Sequence, residues 1–339
     1  MRKMTFKRSA LIAAAGMIAL TGLAAAQDYP WKPDRPVNVI VPWAAGGSTD
    51  QVTRVAASEI EDALGQTIVV VNQPGASGSI GSKNALDAPK DGYTWTAGAA
   101  QDLGTYKVLG MLDTSIEDWH LYLDVANVSV VGVNADAPYK DFGELLQAMK
   151  DRPGEVSVAT AGLNSAGHNA IEGLKALTGF DYKHVTYDGG NPAVIATVAG
   201  ETEVTTQLAV EQAEMIRGGR IRALAVLNNE PLEIEGAEPI PPITQWIPEF
   251  QAAPNYFGIF VPKGVPQEVV DTLDQIWKDK IANSQALKDY ATSRGAVFAP
   301  YSGEEAQERV KPAVTRNAWL LFDGGKAKVD PSTVGIPRP

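Results

Sequence analysis

The sequence predicts an α/β protein of two lobes with a ligand cleft between them. Three observations predict it. Short β-branched apolar runs alternate with helical patterns in βαβ order. The alternation occurs twice, and a Pro- and acid-rich stretch from Glu230 to Pro254 then carries the chain back to a last strand. Strand ends also open repeatedly into small-residue loops that start helices, the place where open α/β sheets bind ligands.

Val37 to Val41 reads as a buried parallel strand, and Pro42 to Gly47 as a turn. A helix follows with Val52, Val55, Ala56 and Ile60 on one face, ending near Gly65. Ile68 to Val71 is the next strand, followed by a Pro/Gly loop, a short helix to about Ala88, and a strand at Tyr93 to Ala97. Right-handed crossovers make this a parallel sheet. Val128 to Val133 is a strand leaving the first lobe. The second lobe holds strands at Val156 to Thr160, His184 to Tyr187, Glu203 to Leu208 and Arg222 to Leu227. Its helices run from about Gly167 to Thr178, ended by Gly179, and from Asn191 as N-cap with Pro192 at the first position. Tyr256 to Val261 returns to lobe one. Amphipathic helices around Val269, Leu273 and Trp277, and around Val314, Trp319 and Leu320, pack on it. The expected boundaries are 27–127 plus 250–339 for lobe one and 128–249 for lobe two.

Residues 1–26 read as a secretory signal peptide. Arg2, Lys3, Lys7 and Arg8 precede an apolar run from Ala10 to Leu20, and Ala24 and Ala26 form an A-x-A cleavage signal before Gln27. The apolar run falls short of the roughly 20 residues a spanning helix needs. There is no Cys, so neither a lipid anchor on Cys nor a disulfide is available. The formal net charge is −11, and cleavage would remove four cations and no anion. That balance argues against nucleic acid or anionic lipid as partner. It leaves room for a small anion, because backbone N–H groups can make a cleft locally positive.

Four loops could supply such groups: Ala44 to Thr49, Gly75 to Ser79, Ala161 to Gly167, and Asp188 to Pro192. Glycine lets backbone approach a ligand, and the first N–H groups of a helix have no internal partner. With the helix dipole they favour an anion by roughly 0.3–1 kcal/mol per helix. Ordinary capping explains any one loop. Four of them across two lobes point to a shared anionic ligand. Asp50 either complements the helix dipole or orients a bound group. Trp43 beside the first loop reads as a wall of the cleft.

Enzyme signatures are not met. Gly81 is followed by Ser82 and so breaks the phosphate-loop pattern, no G-x-G-x-x-G opens the first helix, and Leu163 stands where a nucleophile elbow needs Gly. The three His (His120, His168 and His184) lack ligand spacing, so neither a metal nor another cofactor is expected. His168 lies three residues after Ser165. It reads as a structural hydrogen-bonding group, a ligand contact or, as a secreted hydrolase would use it, a partner of Ser165.

At these loops the chain resembles the periplasmic substrate-binding proteins of tripartite tricarboxylate transporters, the Bug proteins. Val41 to Asp50 is similar to the family's V-P-[FW]-x-x-G-G-x-x-D opening, and Asn72 to Gly81 to its N-x-P-G-A-x-G-x-x-G loop. Gly167-His168, Tyr187 to Ala193, Arg222 to Val226 and Gly258 to Pro262 continue the match in order. The resemblance implies a periplasmic-binding-protein-like (type II) fold and a monomeric binding protein with no catalytic role. It implies capture of a small organic carboxylate and delivery to a two-subunit membrane permease. A sensory receptor in place of the permease is the alternative. The implied contacts are Trp43, Gly46, Gly47, Ser48, Thr49 and Asp50 on the first loop, and Ala76, Ser77, Gly78 and Ser79 on the second. Asn164, Ser165, His168, Tyr187 and Gln207 close from lobe two. Thr206-Gln207 stands where the family commonly has Phe-Asp. A neutral amide there implies no attraction for a ligand cation and easier acceptance of a second carboxylate. Gln101 to Asp124 departs from the family pattern and is a candidate seat of specificity.

Overall fold

The computed structural model describes residues 28–339. The expected signal peptide lies outside the described residues. In chain order the elements are β1 (Val37–Val41), α1 (Ser48–Leu64), β2 (Ile68–Asn72), α2 (Ser79–Asp87), β3 (Thr94–Ala99), α3 (Ala100–Leu109) and β4 (Trp119–Asn127). Then come β5 (Val130–Asn134), α4 (Phe142–Asp151), β6 (Ser157–Thr160), α5 (Ala166–Thr178), β7 (Lys183–Thr186), α6 (Gly190–Val198), β8 (Val204–Thr205), α7 (Ala209–Arg217) and β9 (Ile221–Val226). The chain returns through β10 (Asn255–Pro262), α8 (Gln267–Asp279), α9 (Gln285–Arg294), β11 (Val297–Phe298) and α10 (Gly303–Asp323).

The strands form two mixed sheets, giving the two-lobed α/β fold. One has the order β11-β4-β10-β3-β1-β2, the other β7-β6-β8-β5-β9. β1 pairs in parallel with β2 and β3, as the βαβαβ pattern requires. Val37, Val39, Ile40 and Val41 are all buried, which is why β1 reads as an unbroken apolar run. Burying each such side chain stabilises the fold by about 1.5–3 kcal/mol. The chain crosses between sheets directly from β4 to β5 and back over a longer connection from β9 to β10. The crossing strands are neighbours in both sheets. Asn127 pairs with Asn255 in the first, and Val130 with Val226 in the second. The two crossings therefore run side by side.

Local chemistry sets the ends. α1 stops at Gly65 in the left-handed conformation (φ +64°), and α5 stops the same way at Gly179 (φ +74°). In β10 the ladder shifts register at Phe257/Gly258, and a Cβ on Gly258 would run into the Tyr122 carbonyl, so only glycine fits.

Two expectations need correction. α6 begins at Gly190 with Gly189 as N-cap, so Asn191 does not cap it and Pro192 is its third residue. The helix starts early because the preceding backbone is tied to the first loop through Ala44 N–H donating to Asp188 O at 3.0 Å. The strand expected over Glu203 to Leu208 is only Val204–Thr205. Thr206 instead turns its hydroxyl to Gly167 O (2.6 Å), and α7 follows at once. The segment Gln101 to Asp124 holds α3 and most of β4. Nine of the ten residues of α3 are buried, so it shows no amphipathic period to be read.

Candidate functional site

The first loop is braced from behind. Asp50 is buried and accepts hydrogen bonds from Gly46 N–H (2.9 Å), Arg54 Nε (3.0 Å) and Asn72 Nδ2 (3.1 Å). Burial pushes its pKa up, but these bonds and the Arg54 charge outweigh burial and hold the carboxyl below its ordinary value. Asp50 is thus a brace for the loop. Gly47 is the N-cap of α1 and offers no side-chain cap, so the helix N–H groups depend on another acceptor.

The second loop runs through four positive φ values: Gly75 (135°), Ala76 (44°), Ser77 (53°) and Gly78 (85°). For Ala76 and Ser77 this conformation costs roughly 1–2 kcal/mol each. It is held by Tyr106 Oη donating to Ser77 O (3.0 Å), Ser79 Oγ donating to Ala76 O (2.8 Å) and Gly78 N–H donating to Gly75 O (3.0 Å). Successive backbone groups in such a turn form a concavity suited to an anion.

On the third loop, Asn164 (φ 66°) is fully buried and reaches across to α3. Its Oδ1 accepts from Thr105 Oγ1 at 2.7 Å, and its Nδ2 lies 3.4 Å from Asp102 O. Ser165 caps α5 by accepting from His168 N–H at 3.3 Å. That bond is to the backbone of His168. The imidazole is buried, stacks on His184 with centroids 4.8 Å apart, and is held neutral by a pKa lowered to about 3. Burial is the main cause, with the His184 and Lys326 charges adding to it. His168 therefore neither activates Ser165 nor lines the cleft, against the expectation that it reaches a ligand.

Two neighbouring cavities lie between the sheets. The outer one, about 290 Å³, is lined by Trp43, Gly75, Ala76, Ser77, Gly162, Thr186, Tyr187 and Asp188 among others. The inner one, about 30 Å³, is lined by Trp43, Gly47, Ser48, Thr49, Asp102, Ser165, Gln207, Glu211 and Phe257 among others. Trp43 and Ala161 line both. Of the expected contacts, Trp43, Gly47, Ser48, Thr49, Ala76, Ser77, Ser165, Tyr187 and Gln207 are brought to these cavities. Gly46, Asp50, Gly78, Ser79, Asn164 and His168 stand behind them and shape the loops.

Sequence reasoning missed Asp102, Glu211 and Phe257. Glu211 lies in the first turn of α7. Its Oε1 accepts from Ser48 N–H (3.1 Å) and Ser48 Oγ (2.9 Å), and its Oε2 accepts from Leu208 N–H (3.3 Å). Gln207, in the amide orientation that satisfies its neighbours, donates to Glu211 Oε2 at 2.9 Å and accepts from Ala161 N–H at 2.7 Å. Burial raises the Glu211 pKa against these bonds. Beside the neutral Gln207, therefore, a carboxyl four residues later lines the cleft. In sequence Glu211 reads only as the acid of a helix first turn.

The family model for the tripartite tricarboxylate transporter family receptor matches residues 52–313. The chain belongs to that family. It is 30% identical to the protein BugT of Bordetella pertussis over 323 residues, 93% of this chain and 97% of BugT. The solved structure of the periplasmic binding protein BugD superposes on this receptor with a TM-score of 0.80 at 26% identity, covering 87% of this chain and 99% of BugD. An R. palustris protein solved with adipate gives a TM-score of 0.78 at 24% identity, covering 86% of this chain and 98% of its own, and speaks for the shared fold. Among the described residues of this receptor, no group of three or more acidic or His side chains is placed to hold a metal.

Proposed function

We propose that this receptor captures a small organic acid between its lobes in the periplasm and passes it to a two-subunit membrane permease of the tripartite tricarboxylate type. One lobe comprises 27–127 and 250–339, the other 128–249, and the paired crossings β4–β5 and β9–β10 are the hinge. One observation carries the reading: a strained backbone loop of the first lobe, Gly75 to Ser77, faces Tyr187 of the second across the outer cavity. At about 290 Å³ this cavity lies near the lower end of ligand-site volumes, about 300 Å³. The acid group sits against Ala76 and Ser77, and the Trp43 ring forms a wall. A binding role is supported over catalysis by Ser165, whose hydroxyl serves as a helix cap while neither ring nitrogen of His168 is hydrogen-bonded to it.

The test is a thermal-shift screen of the secreted chain against mono-, di- and tricarboxylates. A ligand at 100 times its Kd stabilises the native state by about 2.7 kcal/mol, enough to move the melting temperature by several degrees. A chain that responds to no organic acid would refute the proposal.

A further inference from the structure

We propose that the inner end of the cleft takes a compact cation, a protonated amine, and that Asp102 and Glu211 are the residues that select it. This rests on the reading above that the cleft binds an organic acid, and it gives that acid a second, cationic end.

The described residues lining the inner cavity include two acids and no Lys, Arg or His. Asp102 is only 5% exposed, and its Oδ1 has no hydrogen-bond partner. The Asp102 side chain lines this cavity, and a buried carboxyl without a donor is costly until a cation or donor comes beside it. Glu211 already takes the Ser48 N–H and Oγ donors at the start of α1. A carboxylate entering the inner cavity would find those donors used and two acids facing it. A protonated amine would find acceptors in Asp102 and Glu211, with the Ser165 hydroxyl beside them.

Size agrees with charge. The inner cavity of about 30 Å³ exceeds the roughly 10–15 Å³ that holds one water, and so admits a group of ammonium size. Trp43 lines both cavities, so a short apolar spacer can lie along its ring while the carboxylate reaches Ala76 and Ser77 outside. Burial disfavours the charged form of both acids, and an arriving cation would restore it. Gln207 belongs to this site as the amide that orients Glu211.

The experiment is calorimetric titration of the wild-type chain, Asp102→Asn and Glu211→Gln with two matched sets. One set is 4-aminobutyrate, succinate and butyrate; the other is 6-aminohexanoate, adipate and hexanoate. Within a set only the far end changes, from ammonium to carboxylate to methyl. Wild type should bind the amino member of at least one set about tenfold or more tighter than its diacid and monoacid. Each substitution should cut that preference about tenfold while the monoacid affinity stays within about twofold. Thermal melts of the near-isosteric variants check folding, and the wild-type ranking stands without them. A diacid that binds as tightly as the amino member, or a preference that survives both substitutions, overturns this inference and leaves the organic-acid reading intact. Failure of every member to bind overturns both.

Discussion

Replacing Gly78 with Ala tests the link between loop strain and the wall of the cleft. Gly78 sits at φ +85°, and a Cβ there would lie 2.6 Å from Tyr106 Oη and 3.0 Å from Trp43 Cζ2. Two costs add. A residue with a Cβ in the left-handed region costs about 1–2 kcal/mol. Overpacking against two buried rings costs about 1–3 kcal/mol. Gly78→Ala should therefore destabilise by roughly 2–5 kcal/mol. The two parts can be separated. Tyr106→Phe removes the overlapping hydroxyl, together with its bond to Ser77 O, at a net cost of about 1 kcal/mol. In the Tyr106→Phe background, Gly78→Ala should then cost less, leaving the backbone part and the tight approach to Trp43. Urea unfolding of the four proteins closes the cycle, and the coupling should exceed about 0.5 kcal/mol. The reasoning fails if Gly78→Ala lies within about 0.5 kcal/mol of wild type, or costs the same in both backgrounds. Gly47 is the internal contrast. Its φ is −75° and its nearest would-be Cβ neighbours are at 3.5 Å, so Gly47→Ala should fold almost unchanged.

Acid should destabilise the chain through His168. Its pKa falls from 6.5 to about 3 on folding, so the unfolded chain binds the extra proton and stability is lost as pH drops from about 6.5 towards 3. The slope approaches about 1.4 kcal/mol per pH unit, and His168→Gln should remove it from denaturation curves taken across that window. Asp102 carries the opposite sign: burial raises its pKa, so it favours folding at low pH and its contribution is lost as pH rises through the raised value. Asp102→Asn should flatten that loss. Gly190→Ala would place a Cβ on the Glu211 carboxylate and expel it from Ser48. It should cost about 1–3 kcal/mol, and Glu211→Ala in the same chain should recover most of that in thermal melts. Asp50→Ala would leave Gly46 N–H without its acceptor and Asn72 Nδ2 with the Trp43 carbonyl alone. Chemical denaturation should show a loss of about 2–4 kcal/mol, together with weaker binding of whichever acid the screen identifies.

The order of strands and helices, the two-lobe plan and the position of the strand-end loops were legible in the sequence. β-branched runs, capping glycines and strand-end loops carry local physics that survives without tertiary context. The first two loops lie where Gly46-Gly47 and Gly75-Ala76-Ser77-Gly78 indicated, and the family match, over residues 52–313, takes in the second of them. Only the tertiary structure decided which loop residues face the ligand space and which brace it. Asp50 and Asn164 are polar and loop-borne like Ser48 and Ser165, yet their partners come from Asn72 and Thr105, far along the chain. α3 was invisible because burial on nearly all sides erases periodicity, and Asp102 was hidden with it. The carboxyl beside Gln207 was hidden for a related reason. Gln207 could be aligned by position, but the distance from Glu211 to Ser48 spans 163 residues of sequence and exists only once the lobes meet.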